Sequence, residues 1–545
     1  MVTARTAGRS RATTPTRPTA RPAEQAEARR IPGLVLGAFA ALGGWVTNLG
    51  FPDTDVWWLA IVGLAMLAVT LHATGTHGRA AWRSAGLGFL WGVAFFLPHI
   101  QWADVSVGAV PWVALSVVQA GMVALAAGAY SWARRASWLA RREWLQPVAL
   151  AVVWTGVELL RSYYPFGGFP WGRIAFSQAG SPLGRLAWLG GVPLVSAATV
   201  LVAGMLAFGV VRLVQLRLMG PAGAVIAAAA VTASGMFVPV ATRAEAGTLR
   251  VGAVQGNVGE PGEGSFAHRL EVTGNHVAGT LAVVERAGAE GLDLVVWPEN
   301  ASDVDPRIDE QGRALIDEAV TAAGVPLLFG TQEYVEGGRY NQSVLWLPGE
   351  GPTHVYAKRV PAAFAEYIPW RSLFEKLSDK VALVTTDMIA GTEVGAVPVP
   401  VARLDRDVVV APIICFEVAY DHIARSAVRE GAEVIFVQTN NSNFGYTAES
   451  TQQLAMTRLR AIEAGRAAIQ ISTVGVSAVV DPAGRVLERT GLFTAEQLLA
   501  DMPLRTSTTP AVLLGSWVEL LLAVGASSLV GVGIVSGARS RSRRK

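Results

Sequence analysis

The chain has 545 residues, 51% of them hydrophobic and only 16% charged, with a formal net charge of +3 and a mean hydropathy of +0.38. That balance excludes a wholly soluble globular protein and calls for membrane spans. A single cysteine, Cys415, excludes an intrachain disulfide and a cysteine-based zinc site.

Residues 1–30 hold seven arginines and two glutamates among Thr, Pro and Ala. Nothing there can form a core, so a disordered basic tail is expected, too long for the n-region of a signal peptide. Stretches apolar enough to span a bilayer follow at 31–50, 56–72, 85–101, 109–132, 146–161, 187–210 and 221–241, with an eighth at 511–537. Arginines cluster after every second stretch: Arg79 and Arg83, then Arg134, Arg135, Arg141 and Arg142, then Arg212 and Arg217, then the terminal "ARSRSRRK" of 538–545. By the positive-inside rule both termini are cytoplasmic and residues 243–505 lie on the far side. Arg161, Arg173 and Arg185 break the pattern, because they fall on the side expected to be outside.

Only eight of the 42 acidic residues precede Gly247, so the second half faces a different solvent from the first. It alternates between strand and helix patterns. Strands are expected at "TLRVGAVQGNV", "DLVVWPEN", "VPLLFGTQEYV", "YNQSVLWLPG", "DVVVAPIICFE", "AEVIFVQTNN" and 468–473, with helices at 266–289, 307–323, 418–430 and 449–467 and a hairpin around "DPAGR". Continuously apolar strands imply a sheet covered on both faces, hence a layered α/β domain at 243–505 behind a membrane domain at 31–242.

Cys415 ends a strand just before a helix, the setting of a nucleophile elbow near a helix N-terminus. A small buried hydrophobe is the bland alternative. His72, His77 and His99 lie in the membrane half and His422 on the following helix, while His268, His276 and His354 stand at no strand end beside polar company. Two other strand ends carry charge: Glu299 after "LVVWP" and Lys358 after "THVYA". A desolvated glutamate can act as general base, and an ammonium can support an oxyanion. Singly, each reads as a cap or a solvated charge. No metal-ligand spacing, phosphate loop or nucleic-acid motif is found, so no metal, cofactor or nucleic-acid partner is expected.

Taken in order, "WPEN", "YAKRVPAAFAEYIP" and "ICFEVAYD" resemble the Glu-Lys-Cys pattern of the carbon–nitrogen hydrolase (nitrilase) superfamily. The likeness extends over 248–490, with "VQGNV" at the first strand and "TNNSNFG" after the cysteine's helix. A nitrilase domain carried between membrane spans is similar to the apolipoprotein N-acyltransferase family, and "FPWGRIAFSQ" at 169–178 resembles a conserved loop of that family. The resemblance implies an α-β-β-α sandwich on about eight membrane helices in a bacterial cell membrane. It implies a phospholipid acyl donor, a diacylglyceryl-modified lipoprotein acceptor, and catalysis by Glu299, Lys358 and Cys415. Glu366 and Glu417 match further family glutamates near the site. Phe416 stands where relatives often have Tyr, and a tryptophan found in some relatives after "QGN" is not evident. A monomer is expected. "FAEYIPWRSLFEKL" at 364–377 is read as a lid whose Trp370 and Phe374 dip into the outer leaflet, against the plainer alternative of a helix packed on the sheet. A membrane-tethered amidase passing the acyl group to water, or a binding protein or transporter with an inactive hydrolase domain, are the other readings.

Overall fold

The structure, a computed structural model, describes residues 32–76, 78–216, 219–258, 269–288, 291–376 and 378–542. Expectations for the tail 1–30, for the stretch after "QGN" from 259 to 268, and for 543–545 lie outside the described residues.

The first half is helical: α1 (Gly33–Asn48), α2 (Trp57–Ala73), α3 (Ala80–His99), α4 (Trp102–Val107), α5 (Ala109–Ala133), α6 (Ser137–Arg141), α7 (Gln146–Tyr163), α8 (Ala187–Val214) and α9 (Met219–Ser234). Apolar side chains surround most of these helices, as a lipid or helical environment requires. The second half runs β1 (Thr248–Gln255), α10 (Glu271–Ala287), β2 (Leu294–Val296), α11 (Glu310–Ala323), β3 (Leu327–Val335), β4 (Gly338–Leu347), β5 (Gly351–Ala357), α12 (Arg371–Phe374), β6 (Val397–Val401), β7 (Arg406–Ile414), α13 (Asp421–Arg429), β8 (Val434–Thr439), α14 (Glu449–Ala464), β9 (Ala468–Ser472), β10 (Ala478–Val480), β11 (Val486–Arg489) and β12 (Glu496–Pro503). α15 (Pro510–Leu514) and α16 (Trp517–Ser542) close the chain.

Among the described residues, five helical stretches are long and apolar enough to cross a bilayer: Ala80–His99, Ala109–Ala133, Pro182–Val214, Gly220–Phe237 and Trp517–Arg539. α1 and α2, with 16 and 17 residues, are apolar but short. α7 buries Glu158 and Arg161 within its 18 residues, which lowers its apolarity. The last stretch begins later than the expected 511. Pro510–Leu514 stops at Gly515, whose φ of +55° a glycine adopts freely. Arg425 Nη1 then donates to Gly515 O (2.7 Å) and Arg429 Nη2 to Val512 O (2.7 Å), holding α15 to α13 rather than in line with α16.

The strands form two six-stranded sheets, ordered β12-β1-β2-β3-β4-β5 and β11-β10-β9-β8-β7-β6. Each has a parallel centre, β1/β2/β3 and β7/β8/β9, flanked by antiparallel strands. Alternation decides what each face meets. Val408, Val410 and Ile414 of β7 join Val251, Val296 and Leu328 in the core between the sheets. Trp297, Phe329 and Val344 face α10 and α11 instead. Ala411 and Ile413 face α13 and α14, and that cluster continues without a break into the membrane helices. α13 and α14 are therefore caught between a sheet and the membrane domain. β6 and β12 were not expected from the sequence. Both are sheet edges, where the prolines of "VPVPV" and the acids of "EQLLADMP" are tolerated.

Candidate active site

Three strand ends converge on one rim of the paired sheets. β2 runs on to Glu299, β5 delivers Lys358, and β7 delivers Cys415. Close packing at this rim needs Gly330, since a Cβ there would lie 2.6 Å from Glu299 Cα. Cys415 has φ +52°, a conformation that non-glycine residues rarely adopt and that turns the thiol out of the strand. A 3-10 turn, Cys415–Ala419, follows, and α13 begins only at Asp421. The helix N-terminus expected directly behind the thiol is thus displaced by one turn. Side chains supply the polar company instead: Thr439 Oγ1 lies 3.5 Å and Gln453 Nε2 3.7 Å from Sγ.

Lys358 is 1% exposed. Its Nζ donates to Glu366 Oε1 at 2.6 Å and lies 3.5 Å from Glu299 Oε1. Burial works against the ammonium, but the charges of Glu366, Glu299 and Cys415 outweigh it and hold Lys358 well above the usual lysine range. Glu366 is itself fixed by Ala362 N, which donates to Oε2 at 2.6 Å. Burial pushes the Glu299 carboxyl up, opposed by Lys358 and by bonds from Asn341 Nδ2 (2.6 Å) and Asn440 N (2.8 Å). Burial and the facing charge of Glu299 push the Cys415 thiol up as well, with Lys358 pulling the other way. A desolvated carboxyl, a thiol and a fixed ammonium at one rim of the sheets are chemically capable of covalent acyl transfer.

The other residues singled out from sequence fall into separate places. Glu417 does not touch the thiol in the described contacts. It is fully buried and accepts from Tyr356 OH (2.9 Å), Arg359 N (2.6 Å), Val360 N (3.2 Å) and Ile414 N (2.9 Å). That ties the cysteine strand to the segment carrying Lys358. Phe416 stacks on Trp171 (5.6 Å, 3°) and Phe169 (5.8 Å, 27°) of the loop between α7 and α8. Trp370 is 67% exposed and meets Phe166 of the same loop edge-on at 4.9 Å. Phe374 is half-buried, packed on Phe364 and against Ile368, Val381 and Val384. The segment 364–376 is irregular except for α12, so it is not a helix laid on the sheet. His276 is spent on the backbone, accepting from Gly256 N and pairing with Val272 O.

Sequence reasoning missed Asn341, Thr439, Asn441, Glu449 and Gln453. "TNNSNFG" signalled the first turn of this network, but nothing marked α14 as its wall.

The site rests on a polar seam with the membrane helices. Arg173 Nη1 reaches Asp421 Oδ2 (2.7 Å), whose other oxygen faces Arg460 (2.7 Å); Arg460 donates to Val418 O and Ala419 O in the cysteine turn. Trp171 Nε1 donates to Gln452 Oε1 at 2.6 Å, and Gln452 Nε2 donates to His99 O at 2.9 Å.

The two sides of this seam match two different protein families. The apolipoprotein N-acyltransferase N-terminal domain matches residues 43–205, and the carbon-nitrogen hydrolase family matches 250–509. An apolipoprotein N-acyltransferase of Mycolicibacterium smegmatis is 33% identical over 532 residues, covering 92% of this chain and 86% of its own. One of Azotobacter vinelandii is 31% identical over 519 residues, covering 90% and 94%. Among solved structures, an amidase from Nesterenkonia sp. aligns with 52% of this chain and 98% of its own, at 16% identity and a TM-score of 0.36. Helical membrane half, hydrolase half and the join between them are all matched in relatives of nearly full length, so the chain belongs to the apolipoprotein N-acyltransferase family.

Proposed function

We propose that the protein moves an acyl chain from a phospholipid, through a thioester on Cys415, to the N-terminal amine of a diacylglyceryl-cysteine lipoprotein. The observation that carries this reading is the trio of buried Glu299 and Lys358 with the half-buried Cys415, in a domain packed on membrane helices in a chain of this family.

In the first half-reaction Glu299 takes the thiol proton and the thiolate attacks the ester carbonyl. The C–S bond forms while negative charge collects on the carbonyl oxygen, near the Lys358 ammonium. The C–O bond then breaks, and Glu299 returns its proton to the departing alkoxide, releasing a lysophospholipid. In the second half the neutral α-amine attacks the thioester and Glu299 takes its proton. The C–N bond forms, the C–S bond breaks, and the leaving thiolate recovers the proton. A covalent carrier lets two bulky lipids bind in turn, and a thioester keeps enough reactivity for aminolysis. Both substrates are bilayer residents, so a centre on the membrane face avoids drawing acyl chains into water.

The same reading takes α1, α2 and α7 as spans beside the five longer helices, giving eight. Both termini are then cytoplasmic and the hydrolase domain extracytoplasmic. Glu366 holds Lys358 in place, Glu417 braces the cysteine turn, and Trp370 and Phe374 belong to a lid at the lipid surface.

Mass spectrometry of a lipoprotein N-terminus tests the assignment, in cells with the protein, without it, and with Cys415→Ala. A third acyl chain present only with the intact protein is expected. Its persistence in the Cys415→Ala cells would overturn the mechanism.

A further inference from the structure

Behind the thiol lies a chain of buried amides and hydroxyls that the reaction scheme does not use. Thr439 and Gln453 are fully buried, Asn441 is 2% exposed and Glu449 3%. Their hydrogen atoms can be assigned by following the chain from its backbone end. Gly475 N donates to Ser472 Oγ at 2.7 Å, so the Ser472 hydroxyl points the other way and donates to Asn441 Oδ1 at 2.6 Å. That makes Asn441 Oδ1 the acceptor and aims its Nδ2 at Glu449 Oε2 (2.5 Å) and Gln453 Oε1 (3.2 Å). With its oxygen taken, Gln453 must present Nε2 to Cys415 Sγ, 3.7 Å away. A Cβ at Gly475 would lie 2.2 Å from Asn441 Oδ1, so the arrangement leaves no room for another residue there.

Thr439 is the one member with a choice. Its Oγ1 is 2.9 Å from Gln453 Oε1 and 3.5 Å from Cys415 Sγ, yet it carries a single proton. With a neutral thiol, Thr439 donates to Gln453 and can accept from S–H. Once the thiol proton has left, the hydroxyl can turn to the sulfur. Gln453 Oε1 stays satisfied meanwhile, because Asn441 Nδ2 still reaches it.

We propose that Thr439 and Gln453 are a switchable pair of donors to the Cys415 thiolate, armed by Asn441 and anchored through it by Glu449. This deepens the acyl-transfer reading and rests on Cys415 as its nucleophile. Thr439 and Gln453 touch the reacting atom, whereas Asn441 and Glu449 are positioning residues. The pair supplies what the displaced α13 terminus does not, two donors aimed at a thiol that burial and Glu299 push up. It operates at both moments when sulfur carries charge, thiol activation and thioester breakdown. Glu449 needs only to accept from Asn441 Nδ2, so its amide analogue can serve. The charged or titrating groups around the pair are Glu299 from the β2 end, Lys358 from the β5 end, Cys415 itself and Glu449 on α14.

Because Cys415 is the only cysteine, alkylation by iodoacetamide reports its thiolate alone in the full-length protein in detergent. Loss of a hydrogen bond to a charged group predicts that Thr439→Val alkylates about tenfold more slowly at neutral pH, with its pH profile moved up by about one unit. Gln453→Leu should act in the same direction. Thr439→Ser keeps the hydroxyl and should track the unmodified protein; Glu449→Gln keeps the acceptor while removing a charge that pushes the thiol up, so it should alkylate no more slowly, whereas Glu449→Leu should be slowed. Superimposed profiles for Thr439→Val and the unmodified protein would sink the switch, as would equal damage from Thr439→Ser. The proposed function fails on a different result, acyl transfer surviving Cys415→Ala, and either idea can fall without the other.

Discussion

Arg173 and Asp421 pair across 2.7 Å with neither side chain reaching solvent, and they join the loop after α7 to the helix after the cysteine turn. Glu158 backs Arg173 at 3.7 Å, and Arg460 flanks Asp421 on its other side. Removing one partner of a buried pair costs about 3–5 kcal/mol, because the survivor keeps its desolvation penalty. Arg173→Met should lie near the low end, since Asp421 retains Arg460. Adding Asp421→Asn to it should cost less than the sum of the two single losses in apparent melting temperature. Strictly additive losses would mean that the two residues act apart and that the seam is not one unit.

The arginines that break the charge alternation all have internal partners. Arg161 Nη1 donates to Phe169 O (2.7 Å) and Trp171 O (2.9 Å), Arg173 is paired, and Arg185 Nη2 donates to Val238 O (2.9 Å). Cations spent on internal partners do not contradict an outside position. A reporter fused after Lys545 should therefore read as cytoplasmic, and one inserted near Gly349 as extracytoplasmic. Both reporters on one side would overturn the eight-span topology.

Glu299, Lys358 and Cys415 were legible because each is a polar residue placed abruptly after an apolar strand, and strand ends are where layered α/β domains collect chemistry. Glu449 and Gln453 gave no such contrast. "ESTQQLAMTRLRAIEA" reads as a helix with one wet face, yet all of α14 except Thr451 and Arg458 is buried. The missing water is excluded by the membrane domain packed on its outer side, which no local pattern in α14 records. Glu417 was singled out by its match to a family glutamate near the site, not by any contrast in the sequence. Its carboxylate accepts from backbone amides and Tyr356 and so supports the strand end that carries Cys415. β6 and β12 escaped notice because edge strands need neither continuous apolar runs nor freedom from proline.

Burial lifts the Glu449 carboxyl to about 8, against the bond from Asn441 and with help from the charge of Glu299. From about 4.5 to about 8 the folded protein thus holds a proton that the unfolded chain has lost. The stabilisation is complete below that window and disappears as pH rises through it. The apparent melting temperature should fall between about pH 4.5 and about pH 8, and Glu449→Gln, which cannot ionise, should fall less steeply. Parallel curves for the two proteins would show that Glu449 does not titrate in this range.

Phe166 makes an aromatic contact with the segment after Lys358. Phe166 meets Phe364 at 5.6 Å, Trp370 at 4.9 Å and Phe374 at 6.2 Å, all nearly perpendicular, and Tyr367 OH donates to Phe166 O at 3.2 Å. Phe166, Phe364 and Trp370 all have positive φ, so the contact is made by backbone held in unfavourable conformations on both sides. The segment also contains Glu366, the counter-ion of Lys358, so displacing it would alter the electrostatics of the site. An exposed tryptophan beside a membrane loop suits the bilayer interface, whereas Phe374 is half-buried in the segment's own cluster. The two aromatics should therefore be changed separately. Burying a large aromatic side chain is worth a few kcal/mol, so Trp370→Ser should slow thioester formation from bilayer phospholipid about tenfold and from a soluble ester hardly at all. Phe374→Ser should slow both, because it loosens the cluster under Glu366. Equal slowing of the two substrates by Trp370→Ser would make the segment a structural support and remove the lid.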